Sequence, residues 1–269
     1  MTETNSKAGP RAIPVIQHTF SNAVFFSGTP LAAVLQLAHP GVARGVCKHS
    51  RFRHDAYSRC HRSIVFLVAV MFGTEEEKDA ICSVVRRQHA HVHGAGYDAN
   101  DAELQRWVAA TGLMATVKVH ETFFGPMDAR AQDALCVEFG VFGRELGMPA
   151  QAWFASWREF DAYWTQTVAG LRVSDEGREM ARMVLYGLLP WYLGWVAWAV
   201  RVFVAAWLPE SLARAFGLEA GMWFGVLAGL GRVVCWAVPG GVWRALTLVL
   251  VHDMQRAAAA VAGSGRWTM

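Results

Sequence analysis

The chain has 269 residues, of which 54% are hydrophobic and only 17% are charged, and its formal net charge at pH 7 is +3. Its mean hydropathy of +0.22 is high for a soluble protein. The basic residues form no block, so the sequence does not support nucleic-acid binding. Five scattered cysteines without a CxxC pair indicate neither a disulfide scaffold nor a zinc ribbon, and they favour a reducing, intracellular compartment.

The ends of the chain differ in composition from its middle. The first 14 residues are polar and contain no apolar signal core, so no signal peptide is predicted. Residues 1–18 are predicted to be a disordered lead-in, and residues 19–255 are predicted to form the folded domain. Residues 256–269 contain an alanine run and a glycine-rich stretch, and they are predicted to be a flexible tail.

Helix signals dominate the first half of the chain. Thr29 followed by Pro30 predicts a helix start, because proline is favoured at the first helical position. The sequence His39-Pro40-Gly41 then predicts a break. Residues 63–72 form an uncharged apolar run, which predicts a buried helix.

The next helices are predicted from their capping residues. Thr74 and Glu77 match a capping box, and the helix that they open is predicted to reach His93 and to stop at Gly94. Asn100 with Glu103 predicts a further start, and residues 128–146 form another helical segment closed by glycine. No segment alternates between polar and apolar residues over a strand length, so the sequence predicts an all-α fold.

A histidine cluster lies at the end of the helix predicted after Thr74. His89, His91 and His93 are three of the ten histidines and fall within five residues. At about 100° per residue, His89 shares the apolar face with Ile81 and Val85 and therefore points inward. Imidazole is the commonest neutral metal ligand, so the cluster predicts a metal or haem site. The alternative is a polar, half-exposed helix end.

The last third of the chain is rich in tryptophan. Eight of the twelve tryptophans lie at or beyond Trp191, and residues 183–200 carry no charge. This 18-residue stretch just reaches the length of a membrane span. Three alternatives remain open for it: a helix buried in a large core, a helix lying on a membrane surface, and a true span. Residues 183–250 are the part predicted to associate with a membrane.

Six motifs occur in an order that resembles one family. They are LQLAHPGVA at 35–43, HSRFRHD at 49–55, RCHRS at 59–63, FGT at 72–74, HAHVHG at 89–94 and DAELQRWVAAT at 101–111. Over residues 20–163 the chain resembles the catalytic domain of MpaB-type oxygenases and rubber oxygenases (latex-clearing proteins). The resemblance implies a single, all-α, multi-helix domain that holds a non-covalent haem b among its helices, broadly as a globin does. It also implies O₂ and a hydrophobic isoprenoid or other lipid-like substrate as partners, with cleavage of a C=C bond.

The resemblance also implies roles for individual residues. His89 occupies the family's HxxVxG position and would be the proximal ligand of the haem iron, with His93 as a further cofactor-binding residue. Rubber oxygenases carry an Arg-x-x-Lys-Thr group opposite, and Arg59, Arg62 and Ser63 occupy that place here. Arg62 replaces the lysine and stays protonated, so it cannot ligate iron. The two arginines would pair with a haem propionate or polarise bound O₂, and all three residues are catalytic candidates. The alternative is an ordinary basic helix face.

The leading interpretation is therefore a haem-b-dependent oxygenase, located inside the cell and either peripheral to a membrane or anchored at it. A second interpretation is a non-haem metal enzyme, because His89 and His93 at i and i+4 on one helix have a spacing that suits zinc or iron. A third is a non-enzymatic, membrane-associated protein that binds haem or lipid. The sequence alone does not separate the third interpretation from the first.

Overall fold

The fold consists almost entirely of helices. The computed structural model describes residues 14–50, 55–187 and 190–264. Thirteen α-helices occur in this part of the chain, together with one antiparallel pair of two-residue strands, β1 (His93–Gly94) and β2 (Tyr97–Asp98). The helices are α1 (Pro14–Phe20), α2 (Thr29–Ala38), α3 (Pro40–His49), α4 (Ala56–Phe72), α5 (Glu75–His89), α6 (Ala102–Phe124), α7 (Ala129–Leu146), α8 (Trp157–Gly170), α9 (Asp175–Tyr186), α10 (Gly194–Trp207), α11 (Glu210–Phe216), α12 (Trp223–Ala237) and α13 (Gly240–Ser264). The all-α prediction is confirmed.

The central element is α6, which packs against α2, α7 and α12. Its apolar residues surround the helix on all sides, as expected for a helix that is buried rather than amphipathic. Trp107 and Leu113 are among its fully buried side chains. Its buried threonines Thr111, Thr116 and Thr122 donate hydrogen bonds to carbonyls three or four residues earlier, so their hydroxyl groups remain satisfied inside the core.

The helix that carries the histidine cluster is shorter than predicted. The helix α5 ends at His89, not at His93. The amides of His91 and Val92 bond to carbonyls only three residues earlier, which tightens the chain into a turn. The following residues pair as β1 and β2, and Gly96 between them adopts a positive φ of 79°. The hairpin takes the place of the last predicted turn of the helix. The spacing of apolar residues could not predict this, because it carries no information about strand pairing.

The folded part begins earlier than the predicted boundary at residue 19. The α1 helix starts at Pro14 and buries Ile16 and Phe20. Its first amides, from Val15 and Ile16, donate to the carboxylate of Glu138 on α7. A partner more than 120 residues away satisfies this helix end, so the predicted lead-in is wrong for residues 14–18. Residues 1–13 lie outside the described residues.

The predicted tail also differs from the structure. The α13 helix continues to Ser264 and buries Ala258 and Val261. These residues join Val65 of α4 and Ile81 of α5 in a second hydrophobic cluster. The alanine run is a good helix former, and its small side chains allow α13 to pack closely on α4 and α5. The prediction of a flexible tail is therefore wrong for residues 256–264, and residues 265–269 lie outside the described part.

Helix starts fall into two groups. Every helix from α3 to α9 begins with a side chain that accepts a backbone amide, and the capping residues are His39, Asp55, Thr74, Asp101, Asp128, Ser156 and Ser174. The predicted Thr74–Glu77 capping box is confirmed. Asp101, not Asn100, caps α6. The helices α10, α11 and α12 begin after Leu193, Pro209 and Met222, and none of these three makes a side-chain cap.

The uncharged stretch 183–200 is not one helix. It is divided among the end of α9, a 3₁₀ turn at Trp191–Leu193 and the start of α10. Trp191 is 91% exposed, so the alternative of a helix buried in the core is wrong here. No single helix in the described ranges is long and apolar enough to cross a membrane. Three bent pairs reach that length and composition together, among them α12 with α13, bent by 97°.

Candidate functional site

Three of the predicted site residues meet where α4 lies beside the end of α5. Arg59 and Ser63 are one helical turn apart on α4, and the Arg59 Nη1 donates a hydrogen bond of 2.6 Å to the Ser63 hydroxyl. Ser63 in turn donates to the Arg59 carbonyl at 3.2 Å. The positive charge of Arg59 acts on the His89 ring and lowers the pKa of that imidazole. Arg59 is thus linked to Ser63 by hydrogen bonds and to His89 through its charge, and we call these three residues the polar cluster.

The chemistry of His89 is set mainly by its burial. Burial and, secondarily, the charge of Arg59 lower its pKa to about 4. The ring is therefore neutral at pH 7 and keeps a lone pair for a metal or a proton donor. Its Nδ1 is buried and has no hydrogen-bond partner among the described residues. An unpaired buried ring nitrogen costs free energy, so this side chain is poised to accept a further partner.

The two arginines of the cluster differ in their partners. Burial, followed by the nearby charge of Arg62, lowers the pKa of Arg59, although a guanidinium group stays protonated in proteins. Arg62 lies on the same helix, half-buried, and forms no hydrogen bond or ion pair with any described residue. Its charge is therefore available for an anionic group. The motif at 49–55 precedes this helix, and its residues 51–54 lie outside the described ranges.

His93 does not accompany His89. It lies in β1 and is exposed, as is His91 in the preceding turn. The prediction that His89 and His93 lie one turn apart on the same helix is wrong, because α5 ends at His89. Within the described ranges, no three His, Cys, Asp or Glu side chains are close enough to hold a metal ion together. All five cysteines are free thiols.

Sequence reasoning missed a second polar pair beside the cluster. His61 of α4 hydrogen bonds through Nε2 to the carboxylate of Asp253 on α13, 192 residues further along the chain. The ring of Tyr57 stacks on His61 at 6.3 Å, and the His61 Nδ1 is buried without a partner in the described part. The only sequence signal was the position of His61 between Arg59 and Arg62, because nothing local identifies Asp253.

Other histidines have structural roles. The Nδ1 of His39 accepts the Gly41 amide and caps α3, and burial lowers the pKa of this ring. His49 bonds to the Tyr97 hydroxyl at 2.9 Å and so joins α3 to the β-hairpin. His120 bonds to the Gly125 carbonyl at the end of α6. None of these three rings lies in the cluster of Arg59, Ser63 and His89.

Two surface cavities lie elsewhere, among α8, α9 and α11. The larger has a volume of about 320 Å³ and the smaller about 170 Å³. Neither is lined by Arg59, Ser63 or His89. They share Arg178 as a lining residue, so they adjoin each other and are described together as one depression. Sequence patterns gave no signal for it, because its residues are scattered over some fifty positions.

A large apolar surface covers the outer side of α10 and α12. The rings of Trp198 and Trp223 contact each other with centroids 5.9 Å apart, which joins the two helices into one surface. Its exposed members, together called the aromatic surface, are Trp191, Tyr192, Trp195, Trp198, Trp223, Val226, Leu230 and Val233. Contiguous apolar patches of this extent mark interaction surfaces on proteins.

Comparison with known proteins identifies the fold as a catalytic domain. Residues 17–239 match the model of the family described as "ER-bound oxygenase mpaB/B'/Rubber oxygenase, catalytic domain". The chain belongs to this family. The resemblance inferred from the six motifs is thus confirmed, and the protein is an oxygenase-family enzyme, an oxidoreductase that acts with O₂ on a substrate. The matched range covers the Arg59–His89 cluster and α10 to α12, whereas α13 lies beyond it.

Two mycobacterial proteins are similar to this oxygenase. They are the uncharacterized protein Mb2261 of Mycobacterium bovis and the uncharacterized protein Rv2237 of Mycobacterium tuberculosis. Each is 30% identical over 181 residues, which cover 63% of this chain and 71% of the relative. No solved structure matches the chain.

Proposed function

We propose that this oxygenase binds haem b through His89 and uses O₂ to oxidise or cleave a C=C bond of a hydrophobic, isoprenoid or other lipid-like substrate. One observation carries the proposal. His89 presents a neutral imidazole whose Nδ1 is buried and without a partner among the described residues, near the half-buried Arg59–Ser63 pair. A haem-binding helix pair needs a neutral imidazole to hold the iron and a nearby positive charge to pair with a propionate.

The donor set fits a haem rather than a bare metal ion. A haem iron takes most of its ligands from the porphyrin, so a single imidazole from the protein would be enough to hold it. Non-haem zinc or iron needs at least three protein ligands. Among the described residues His89 has no two further ligands close to it, and His93 lies outside α5. The non-haem interpretation therefore loses the geometry on which it rested.

Each residue of the cluster has a distinct task in this proposal. His89 would supply the nitrogen that holds the haem iron, and its lowered pKa keeps the ring unprotonated at neutral pH. Arg62, which has no partner among the described residues, supplies a cation for a propionate carboxylate. Arg59 donates to the Ser63 hydroxyl at 2.6 Å, and Ser63 donates back to the Arg59 carbonyl, so this pair would hold the Arg59 guanidinium in a fixed position near the bound group. When bound, the haem iron supplies the activation of O₂, which protein side chains cannot provide.

The aromatic surface gives this enzyme a route to an insoluble substrate. We propose that it docks on a lipid bilayer, because tryptophan and tyrosine favour the interfacial zone of membranes. Trp191 and Trp195 are exposed on the turn before α10 and on its first turn. The helix α12 adds a stripe at Trp223, Val226 and Leu230, spaced as one helix face. A lipid-like substrate dissolved in the bilayer would be concentrated at this surface.

An absorption spectrum tests the haem proposal directly. The purified protein supplied with haem is expected to show a strong Soret band, and His89→Ala is expected to lose it. His91→Ala is the matched control, since His91 lies two residues away and is exposed. A Soret band retained at full occupancy by His89→Ala would overturn the assignment of the ligand. O₂ uptake with unsaturated isoprenoids then tests the reaction, and a haem-loaded protein that consumes no O₂ with any of them would contradict it.

Vesicle sedimentation tests the docking proposal. Trp191→Ser combined with Trp195→Ser is expected to weaken binding to neutral phosphatidylcholine vesicles. Tyr57→Ser is the control, because Tyr57 is 69% exposed on α4 and lies outside the aromatic surface. A wild-type protein that is dimeric without lipid and becomes monomeric in the double variant would identify the surface as a subunit interface instead, and the docking proposal would be wrong.

A further inference from the structure

The depression among α8, α9 and α11 is lined by arginines. Its larger part is formed by Arg172 and Arg178 with the Ser211 hydroxyl, against the apolar side chains of Val168 and Leu212. The smaller part is lined by Arg178, Arg182, Tyr186 and Leu218. We call this depression, with its three guanidinium groups, the arginine groove.

The charge in the arginine groove is of one sign. Arg172, Arg178 and Arg182 are the charged residues among its lining, and no aspartate or glutamate lines either part. Three guanidinium groups around one depression attract an anion and favour phosphate, to which arginine binds with two parallel hydrogen bonds.

The arginines are only partly engaged by the protein. Arg182 forms no hydrogen bond or ion pair in the described residues. Arg172 uses its Nη1 on the carbonyls of Ala169 and Leu171, and it keeps its charge. Arg178 donates to the Val173 carbonyl at 3.0 Å and pairs with Asp175 at 2.7 Å, but the Asp175 carboxylate is almost fully exposed and lies outside the lining. An exposed ion pair of this kind is weak and competes poorly with a bound phosphate.

The arginine groove adjoins the aromatic surface. Tyr186 lines its smaller part and receives the guanidinium of Arg201 over its ring, at 4.4 Å from the centroid. Arg201 belongs to α10 and lies one turn beyond Trp198, a member of the aromatic surface. A bilayer that meets the aromatic surface would therefore bring its phosphates to the edge of the groove.

We propose that the arginine groove binds the phosphate of an anionic phospholipid headgroup. The apolar walls at Val168 and Leu212 suit the glycerol backbone, and the arginines suit the phosphate. The proposal refines the membrane docking described above, since the groove would add a preference for anionic bilayers to a surface that binds any bilayer. The groove could also bind a single lipid molecule without a bilayer, so the groove proposal and the docking proposal can fail separately.

The first test measures partition onto vesicles of phosphatidylcholine with and without phosphatidylglycerol. Wild-type protein is expected to prefer the anionic vesicles. Arg172→Gln combined with Arg182→Gln leaves the Arg178–Asp175 pair intact and is expected to lower binding to anionic vesicles about 25-fold, at about fivefold per arginine. Binding to neutral vesicles should not change. A double variant that keeps the full anionic preference would overturn the proposal.

A charge-matched variant separates the groove from general attraction. Arg130 and Arg158 are exposed on α7 and α8 and line neither part of the groove. Arg130→Gln combined with Arg158→Gln removes the same charge and should reduce anionic binding far less. An equal reduction in the two double variants would mean that only net charge matters, and the proposal would fall.

The second test uses a monomeric lipid and so does not depend on bilayer docking. Phosphorus NMR of dihexanoyl-phosphatidylglycerol, kept below its micelle concentration, should show line broadening with wild-type protein and little with Arg172→Gln/Arg182→Gln. Broadening without any vesicle binding would support the groove and contradict the docking surface. Inorganic phosphate that displaces the lipid at equal concentration would identify a site for free phosphate and overturn the lipid assignment.

Discussion

The helices from α3 to α9 and those from α10 to α12 are built in contrasting ways. In the first group each helix start has a polar side chain that accepts a backbone amide, whereas the second group has none. The tryptophans differ similarly. Trp107 of α6 is 1% exposed and stacks on Trp164 of α8 at 5.4 Å, whereas Trp236 of α12 is 88% exposed. The first group has capped helix starts and buried tryptophans, whereas the second has uncapped starts and exposes many of its large apolar side chains, although Trp207 is buried.

The outer helices are nevertheless attached to the core through a few specific contacts. The indole nitrogen of Trp207 on α10 donates to the Thr122 hydroxyl at 2.8 Å, and Arg232 of α12 donates to the Thr122 carbonyl at 2.6 Å. Gly231 lies so close to the Phe123 ring that a methyl group would clash with it. The comparison teaches that the end of α6 holds α10 and α12 in place from one side and leaves their other side free for function.

The sharpest test of this contrast exchanges tryptophans for alanine in the two regions. Trp107→Ala should destabilise the protein by about 3–5 kcal/mol, because it removes a fully buried ring and its stack with Trp164. Trp236→Ala should change the free energy of unfolding by less than about 0.5 kcal/mol, because its ring faces solvent. Denaturant unfolding of both variants gives the two values. Similar losses would mean that the outer surface is packed against something in solution.

The next test uses the pH dependence of the polar cluster. The folded state holds His89 neutral with a pKa of about 4, against 6.5 for the free side chain. The unfolded state therefore binds the proton first as pH falls, and folding stability should decline below pH 6.5 by up to about 3 kcal/mol near pH 4. This applies to the haem-free protein, and denaturant midpoints across that range measure it. His89→Gln should flatten part of this slope. An unchanged slope would place the proton uptake elsewhere, for example at His39.

A smaller effect is expected where α13 joins α4. Asp253→Ala leaves the His61 ring without its partner and should cost about 1–3 kcal/mol. Arg256→Ala is the control, because Arg256 contacts the same carboxylate at 3.1 Å from an exposed position, and it should cost no more than about 0.5 kcal/mol. Equal losses in the two variants would show that the His61–Asp253 bond adds nothing to the attachment of α13.

The smallest predicted effect concerns the helix starts themselves. Thr74→Ala removes the capping box of α5 and should lower the free energy of unfolding by about 1 kcal/mol. Met222→Ala, at the uncapped start of α12, should have almost no effect through capping, because Met222 makes no side-chain bond there. Thermal unfolding of the pair measures the difference, and a larger loss at Met222 than at Thr74 would break the comparison.

Local signals were sufficient for much of the fold and for the central residue of the site. The Thr74 capping box, the break at His39-Pro40 and the end of α7 at Gly147 all depend on neighbours in sequence, and all are present in the structure. Helical phase and family motif independently singled out His89, which the structure places beside Arg59. Whether it holds haem stays a prediction.

The errors have a common physical cause, which is contact between distant segments. The start of α1 depends on Glu138, and the His61–Asp253 pair joins residues 192 positions apart. The end of α5 is a different case, because it depends on a local hairpin whose strands are only two residues long and therefore leave no alternating pattern in the sequence. The arginine groove brings together Arg172, from the connection between α8 and α9, and Ser211 of α11. No periodicity or capping rule contains this information.

The terminal helix α13 lies outside the range that matches the family, yet it contributes Met254, Ala258 and Val261 to the cluster that closes over α4 and α5. A fragment cut at residue 239 would lose that cover and expose Val65 and Ile81 to water. In this oxygenase the range that matches the family is thus shorter than the folding unit, which includes α13. An expression fragment that stops at the family boundary would aggregate through its exposed apolar surface.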